Sequence, residues 1–298
     1  MIRALKTDGK GERNNSMKIG IIDVGGGMRG IYGAGVFDYC MANDIHFDVV
    51  EGVSAGSANG IAYLAGQKNR NYEFYNNYSF RKEYMSAENL LRKGSYLDFD
   101  YIYGTLTNED GEYPLDYDAL MENPAHMEIV ATDAYTGKPV YLQKENIERN
   151  NYVFLKMSCC VPVIDRPYPF NGSKYYDGGM SDPIPFQRAF DHGCDKVVII
   201  LTRPKDYRRI PDKDKRMARL ILRKYKGART ALINRASLYN RQLEQAIALE
   251  KTGKVKIIAP DDISGLKTLT LNHQILDHLY KKGLKDAEAI PQFLSNPE

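Results

Sequence analysis

Tryptophan is absent from this 298-residue chain, and cysteine and histidine are scarce, at four and five copies. Cys40, Cys159, Cys160 and Cys194 show neither CxxC spacing nor the density of a disulfide scaffold, so reduced, mostly buried thiols are expected. The histidines are scattered and unpaired with cysteines, which gives a zinc site no ligand set, and no metal is expected. No apolar run approaches the roughly 18 residues that a membrane-spanning helix needs. The opening MIRALKTDGKGERNNS also lacks the apolar middle of a secretory signal, so a cytoplasmic location is expected, at most peripheral to a membrane. Residues 1–16 read as a flexible leader, because Met17 directly precedes the first strand-like run.

What is present is ordinary globular composition. Hydrophobic residues make up 43% and charged residues 27%, enough for a sizeable core and against general disorder. Charge is unevenly placed. Residues 203–241 hold fourteen Lys/Arg against three Asp, a local +11 in a chain whose total is +3, so the remainder carries −8. Such a segment is an ordinary solvated helical face, or it attracts anionic lipid headgroups, where each basic residue contributes about 1 kcal/mol. Nucleic-acid binding, permitted by Tyr225 and Tyr239, ranks last because no recognised motif accompanies it, and no nucleic-acid partner is expected.

Lys18 to Val24 reads as a buried strand running into a glycine cluster and a helical segment; IHFDVVEGV, SAGSANG and IAYLAGQ repeat the strand–turn–helix order. Residues 69–118 turn to Tyr, Asn, Arg and Glu with few aliphatics, which predicts irregular helices and loops over the sheet. Of the 22 tyrosines, many fall between Tyr72 and Tyr117; they pack this segment onto the sheet or line an acyl-chain entrance beneath a lid. MEIVATDA and KPVYLQ flank a Thr136–Gly137 turn as a hairpin, with Asp133 serving the turn. VFLKMSCCVPVI, SKYYDGG and KVVIILT are expected to complete the sheet; the basic block is helical, KVKIIAP is a last strand, and helices close the chain. This alternation predicts one α/β domain over residues 17–298, a three-layer α/β/α sandwich with a largely parallel central sheet.

Three short motifs carry chemistry. Gly52, Ser54 and Gly56 form a GxSxG between an apolar strand and a helix, where small neighbours let a serine stand exposed on a sharp turn. The amino terminus of the following helix favours the oxyanion of acyl transfer. Gly25, Gly26, Gly27, Met28, Arg29 and Gly30 also occupy a strand-to-helix turn and match GxGxxG. That turn is a dinucleotide fingerprint, with Asp48 or Glu51 at the right distance for a ribose, or an oxyanion hole, or a glycine turn needed only for packing. Asp177, Gly178 and Gly179 form a DGG after strand-like SKYY, in isolation an ordinary turn.

In combination, the GGGxRG turn, the GxSxG about 25 residues later and the distant DGG resemble the patatin-like phospholipase family, closest to its small bacterial members. RGIYGAGVFD, SCCVPVI and LYKKGLKDA extend the resemblance over nearly everything from Met17 onward. The resemblance implies a Ser54–Asp177 dyad, an oxyanion hole from Gly25 to Gly30 in which Arg29 matches the family's arginine, and an acyl-enzyme intermediate. It further implies a lipid or acyl-ester substrate and no cofactor. A histidine-assisted triad would draw on His192, His273 or His278, none of which has a distinctive context. The rival readings are a catalytically silent lipid-binding or regulatory protein of the same fold, and a dinucleotide-binding oxidoreductase that leaves GxSxG and DGG unexplained.

Overall fold

The computed structural model describes residues 17–263 and 265–295; the expected leader lies outside them. Two strand–turn–helix units come first: β1 (Ile19–Asp23), α1 (Ile31–Ala42), β2 (Val49–Val53) and α2 (Ala55–Leu64). Short helices α3 (Arg70–Asn76), α4 (Ala87–Lys93) and α5 (Tyr117–Glu122) cross the tyrosine-rich stretch. The hairpin β3 (His126–Asp133) and β4 (Pro139–Gln143) follows, then α6 (Val153–Cys159), β5 (Tyr168–Phe170) and β6 (Ser173–Asp177). After α7 (Phe186–Asp191) and β7 (Lys196–Ile200) come α8 (Pro211–Ala218), α9 (Lys226–Glu250), β8 (Val255–Ile258), α10 (His273–Asp286) and α11 (Ile290–Ser295).

Strands β3, β2, β1, β7 and β8 lie side by side in parallel, while β4 and β6 pair with β3 antiparallel and β5 extends β6. The parallel strands read as continuous apolar runs because helices bury both of their faces. Successive side chains alternate between two cores. Ile21, Val50, Val198 and Ile200 join one core with α1, α2 and α10; Ile22, Val49, Val197 and Ile199 join the other with α7 and α9. The three-layer α/β/α sandwich is therefore the observed architecture. The closing helices belong to it, since a Cβ on Gly283 of α10 would stand 2.1 Å from the Tyr32 carbonyl of α1.

One predicted element changes type. VFLKMSCCVPVI was expected in the sheet, yet Val153–Cys159 is helix α6. A short apolar run fits a buried strand and a buried helix equally, and packing decides between them. Val153, Phe154, Leu155 and Met157 all enter the same core as α1 and α2.

Strand β3 sets the position of the site. β4 pairs with Glu128–Thr132, a span that overlaps the partners of β2 (126–130) and those of β6 (131–133). Because a strand has two edges, β4 occupies one, and β2 and β6 share the other end to end. Val53 faces Val130 and Asp177 faces Ala131, so the carboxyl ends of β2 and β6 meet.

Candidate active site

Beyond Val53 the chain turns at Ser54 with φ 56° and ψ −129°, a conformation that costs a non-glycine residue about 1–3 kcal/mol. Neighbouring contacts hold it there. Ser54 N–H donates to Ser158 Oγ at 2.8 Å, Ser158 Oγ donates to the Val130 carbonyl at 2.7 Å, and Ser57 Oγ lies 3.0 Å from Ser158 Oγ. The GxSxG glycines permit close approach: a Cβ on Gly52 would meet Ser57 Cα at 2.5 Å, and one on Gly56 would meet the Asp23 carbonyl at 2.2 Å.

The glycine turn lies against this elbow. Gly25, Gly26 and Gly27 have φ of 61°, 132° and 62°, the region that glycine enters without penalty. A Cβ on Gly25 would stand 2.2 Å from the Val53 carbonyl. The buried Asp23 carboxylate accepts Gly25 N–H at 2.8 Å and the Asn59 amide at 2.7 Å, and Asn59 also donates to the Gly30 carbonyl at 2.8 Å. Burial raises the Asp23 pKa to about 6, against the pull of those donors. On the far side of the turn, Met28 N–H donates to the Thr268 carbonyl at 2.9 Å and the Thr202 hydroxyl donates to the Gly25 carbonyl. Arg29 is buried; its Nη1 reaches Thr268 Oγ1 at 3.3 Å, and its Nε has no partner among the described residues.

Asp177 arrives at the end of β6. Its N–H donates to the Cys160 carbonyl at 2.8 Å, and its carbonyl accepts the Thr132 hydroxyl at 2.8 Å. Its carboxylate accepts Gly179 N–H at 2.8 Å, and the Ser54 hydroxyl stands near enough to act on its pKa. Burial holds this carboxyl above its ordinary range; the Arg235 charge, the Ser54 hydroxyl and Gly179 N–H pull it back. Gly178 is required by contact, because a Cβ there would stand 2.2 Å from the Val130 carbonyl.

Ser54, Asp177, Gly25, Gly26, Gly27, Arg29 and Gly179 line one cavity of about 770 Å³. Ser54 and Gly27 also border a narrow slot of about 70 Å³, which Met28 lines with apolar side chains that include Phe74, Phe99, Ile102 and Leu269. Gly30, Gly52, Gly56 and Gly178 line neither cavity. The cavity sits where the chain leaves β1 toward β2 on one side and returns through β7 on the other, the crevice at which α/β sheets bind ligands.

Other residues considered in the sequence fall elsewhere. Among the described residues no histidine lines either cavity. His273 stacks on Phe80 with ring centroids 3.6 Å apart. Two histidines are less scattered than their spacing predicts: His126 and His192 converge on Glu128, whose carboxylate already takes two bonds from Arg188 at 2.7 and 2.9 Å. For the dinucleotide reading, Asp48 is committed to Ile19 N–H at 2.7 Å at the opposite end of β1. Glu51 is fully buried within the sheet, and neither acid lines the cavity. Asp133 does serve its turn, accepting Tyr135 and Thr136 N–H at 3.0 and 2.8 Å. Ser158, Asp23, Asn59, Thr132 and Thr268 escaped the sequence reading. Ser158, Asp23 and Thr132 carry only a weak signal, a small polar residue inside an apolar run.

The described residues include no helix long and apolar enough to cross a membrane. A family model for patatin-like phospholipase matches residues 24–190, and one for a domain of unknown function (DUF6363) matches residues 225–294. The uncharacterized protein YjjU of Escherichia coli (strain K12) is 26% identical over 215 residues, 68% of this chain and 57% of that protein. The chain thus spans little more than half the length of that relative. Among solved structures, VipD from Legionella pneumophila aligns at a TM-score of 0.47 and 14% identity, over 93% of this chain and 66% of that one. With its phospholipase model matched across more than half of the chain, the protein belongs to the patatin-like phospholipase family.

Proposed function

We propose that the protein hydrolyses acyl esters of lipids, with Ser54 as nucleophile and Asp177 as its base. One observation carries this reading: Ser54, on a strained turn, and the buried Asp177 line the same cavity, with the Ser54 hydroxyl near enough to Asp177 to pull down the pKa of its carboxyl. The Ser54 proton passes to Asp177 as Oγ bonds the ester carbonyl carbon, and the carbonyl oxygen takes the negative charge. Amides of the Gly25–Gly30 turn other than Gly25, held by Asp23, and Met28, held by Thr268, receive that charge, each such donor being worth roughly 3 kcal/mol. Collapse expels the alcohol, which takes the proton; water then attacks the acyl-Ser54 ester and releases the fatty acid. A carboxylate is a weak base for an alcohol, so its raised pKa and the preorganised amides share the demand.

The arginine-bearing cavity and the apolar slot meet at Ser54, which suits a substrate with a charged end and an acyl chain. The protein approaches an anionic bilayer through the basic segment 203–241. Exposed Ile210, Leu220 and Leu222 stand there among Lys213, Arg216, Arg219 and Arg223, an apolar and cationic mixture suited to such a surface. A fluorophosphonate probe and p-nitrophenyl octanoate test the chemistry. Wild type should be labelled and active, Ser54→Ala should be neither, and Asp177→Asn should lose at least about 100-fold in kcat. Labelling that survives Ser54→Ala removes the nucleophile; a wild type inert toward every ester leaves the silent lipid-binding reading.

A further inference from the structure

The basic segment does not lie wholly on the outer surface. Arg203, Arg209 and Arg235 turn inward and line the same cavity as Ser54 and Asp177, alongside Arg29. Their charge is poorly compensated. Asp214 holds Arg209 through two bonds of 2.6 and 3.0 Å and so is spent on that one guanidinium. Arg203 stacks on the Tyr207 ring at 4.3 Å and makes no ion pair among the described residues. Arg235 approaches the Asp177 end of the cavity, where a Cβ on Gly179 would stand 3.2 Å from its Nη2, and its Nε is buried without a partner. Burial and mutual repulsion depress the pKa of both Arg29 and Arg235, with Arg203 and Arg209 among the charges acting on Arg29. Enclosed guanidiniums that push against one another are relieved by an anion with several acceptor oxygens.

The narrow slot that also borders Ser54 is walled by Phe74, Met85, Leu97, Phe99 and Ile102. The acyl chain and the charged end of a substrate therefore occupy two different cavities that share Ser54. A headgroup carrying its own ammonium would add a further cation to the arginine chamber, where no free carboxylate but Asp177 and the exposed Asp212 could answer it. A phosphate without that ammonium meets a lining in which the guanidiniums of Arg29, Arg203, Arg209 and Arg235 outnumber the carboxylates of Asp177, Asp212 and Asp214. Arg203, Arg209 and Arg235 all lie outside residues 24–190, so these three arginines come from the part of the chain that the phospholipase model does not match.

We infer that Arg203, Arg209 and Arg235 form a phosphate subsite that selects acyl esters with a net-negative headgroup over zwitterionic ones. This rests on Ser54 being the nucleophile, and the experiment separates the two claims. Dihexanoyl phosphatidylglycerol and dihexanoyl phosphatidylcholine are compared as monomers below their critical micelle concentrations, which removes attraction to a charged surface. p-Nitrophenyl octanoate, which carries no phosphate, reports the acyl chemistry alone. Wild type should show a kcat/KM at least about ten-fold higher for the anionic lipid, the scale of one charge-assisted hydrogen bond. Arg203→Gln should reduce that ratio several-fold, and Arg203→Lys, which keeps the charge, should restore part of it. Hydrolysis of p-nitrophenyl octanoate with equal turnover of the two lipids overturns the subsite and leaves the nucleophile standing. No hydrolysis of p-nitrophenyl octanoate overturns the nucleophile first. Inorganic phosphate, added as a competitor of p-nitrophenyl octanoate, distinguishes the remaining source: inhibition without any headgroup preference means a site for free phosphate, which also overturns the inference.

Discussion

Asp177 pairs with Ala131, one position along the strand from the Val130 that faces Val53. Ser54 follows Val53, so two consecutive residues of β3 act as the gauge that sets a hydroxyl beside a carboxylate. Both loops depend on atoms of Val130: its carbonyl anchors Ser158, which anchors Ser54, and the same carbonyl bears on Gly178.

Gly178→Ala tests that gauge. The added Cβ would fall 2.2 Å from the Val130 carbonyl, so backbone next to Asp177 must move. A displacement near 1 Å at a reacting group costs on the order of 100-fold in rate, and overpacking costs about 1–3 kcal/mol. The expected outcome is a folded protein, by circular dichroism, with kcat reduced to that extent; undiminished kcat would show that the contact is unimportant.

Ser158→Ala removes the acceptor of the Ser54 amide. Ser158 is fully buried, so water cannot replace its hydroxyl and the amide is left unsatisfied. Urea denaturation should show a loss of about 1–3 kcal/mol, with a lower kcat because the strained Ser54 turn loses its restraint. A stability equal to wild type would mean that the turn holds itself.

The pH dependence of ester hydrolysis should report Asp177. The base works only when ionised, and burial raises its pKa, so kcat/KM should fall as pH falls through a midpoint above 3.8, the ordinary value for an aspartate. Arg235 opposes that rise. In Arg235→Gln the midpoint should therefore move to higher pH, measured with p-nitrophenyl octanoate across pH 4–9. A midpoint that stays in place or moves down would detach Arg235 from the base.

Glu51 predicts a slope in stability. Its carboxylate is fully buried with both oxygens unpartnered, and burial, with Glu128 adjacent, raises its pKa from 4.5 to about 9. The folded state then holds a proton that the unfolded state has released, so this contribution is complete below pH 4.5 and is lost as pH rises toward about 9. Glu51→Gln removes the titration. Melting temperatures of wild type should fall relative to the variant between pH 5 and 9, and parallel curves would contradict the assignment.

The alternation of strands and helices and the three glycine-bearing motifs were legible in the chain, because a buried parallel strand is an apolar run and a sharp turn demands small residues locally. The hairpin at Thr136 and Gly137 was legible for the same reason, with Thr132 opposite Pro139 as its first pair. Helix α6 was not, since Val153–Cys159 is a short, mostly apolar run with only Lys156 and Ser158 as polar residues, and its contacts choose helix over strand. The direction of the basic segment was also hidden. Charge counts do not distinguish Arg235, turned toward Asp177, from Arg223 on the outer surface.

Sequence alone singled out the residues on which the proposed acyl chemistry rests, because Ser54, Asp177 and the glycine turn each stand in a motif declared by their immediate neighbours. Tertiary structure alone decided that they meet, and that Arg203, Arg209 and Arg235 share their cavity. Those relations arise from strand register on β3 and from the packing of α9 against the sheet, and long-range pairing leaves no periodic mark within any one segment of chain.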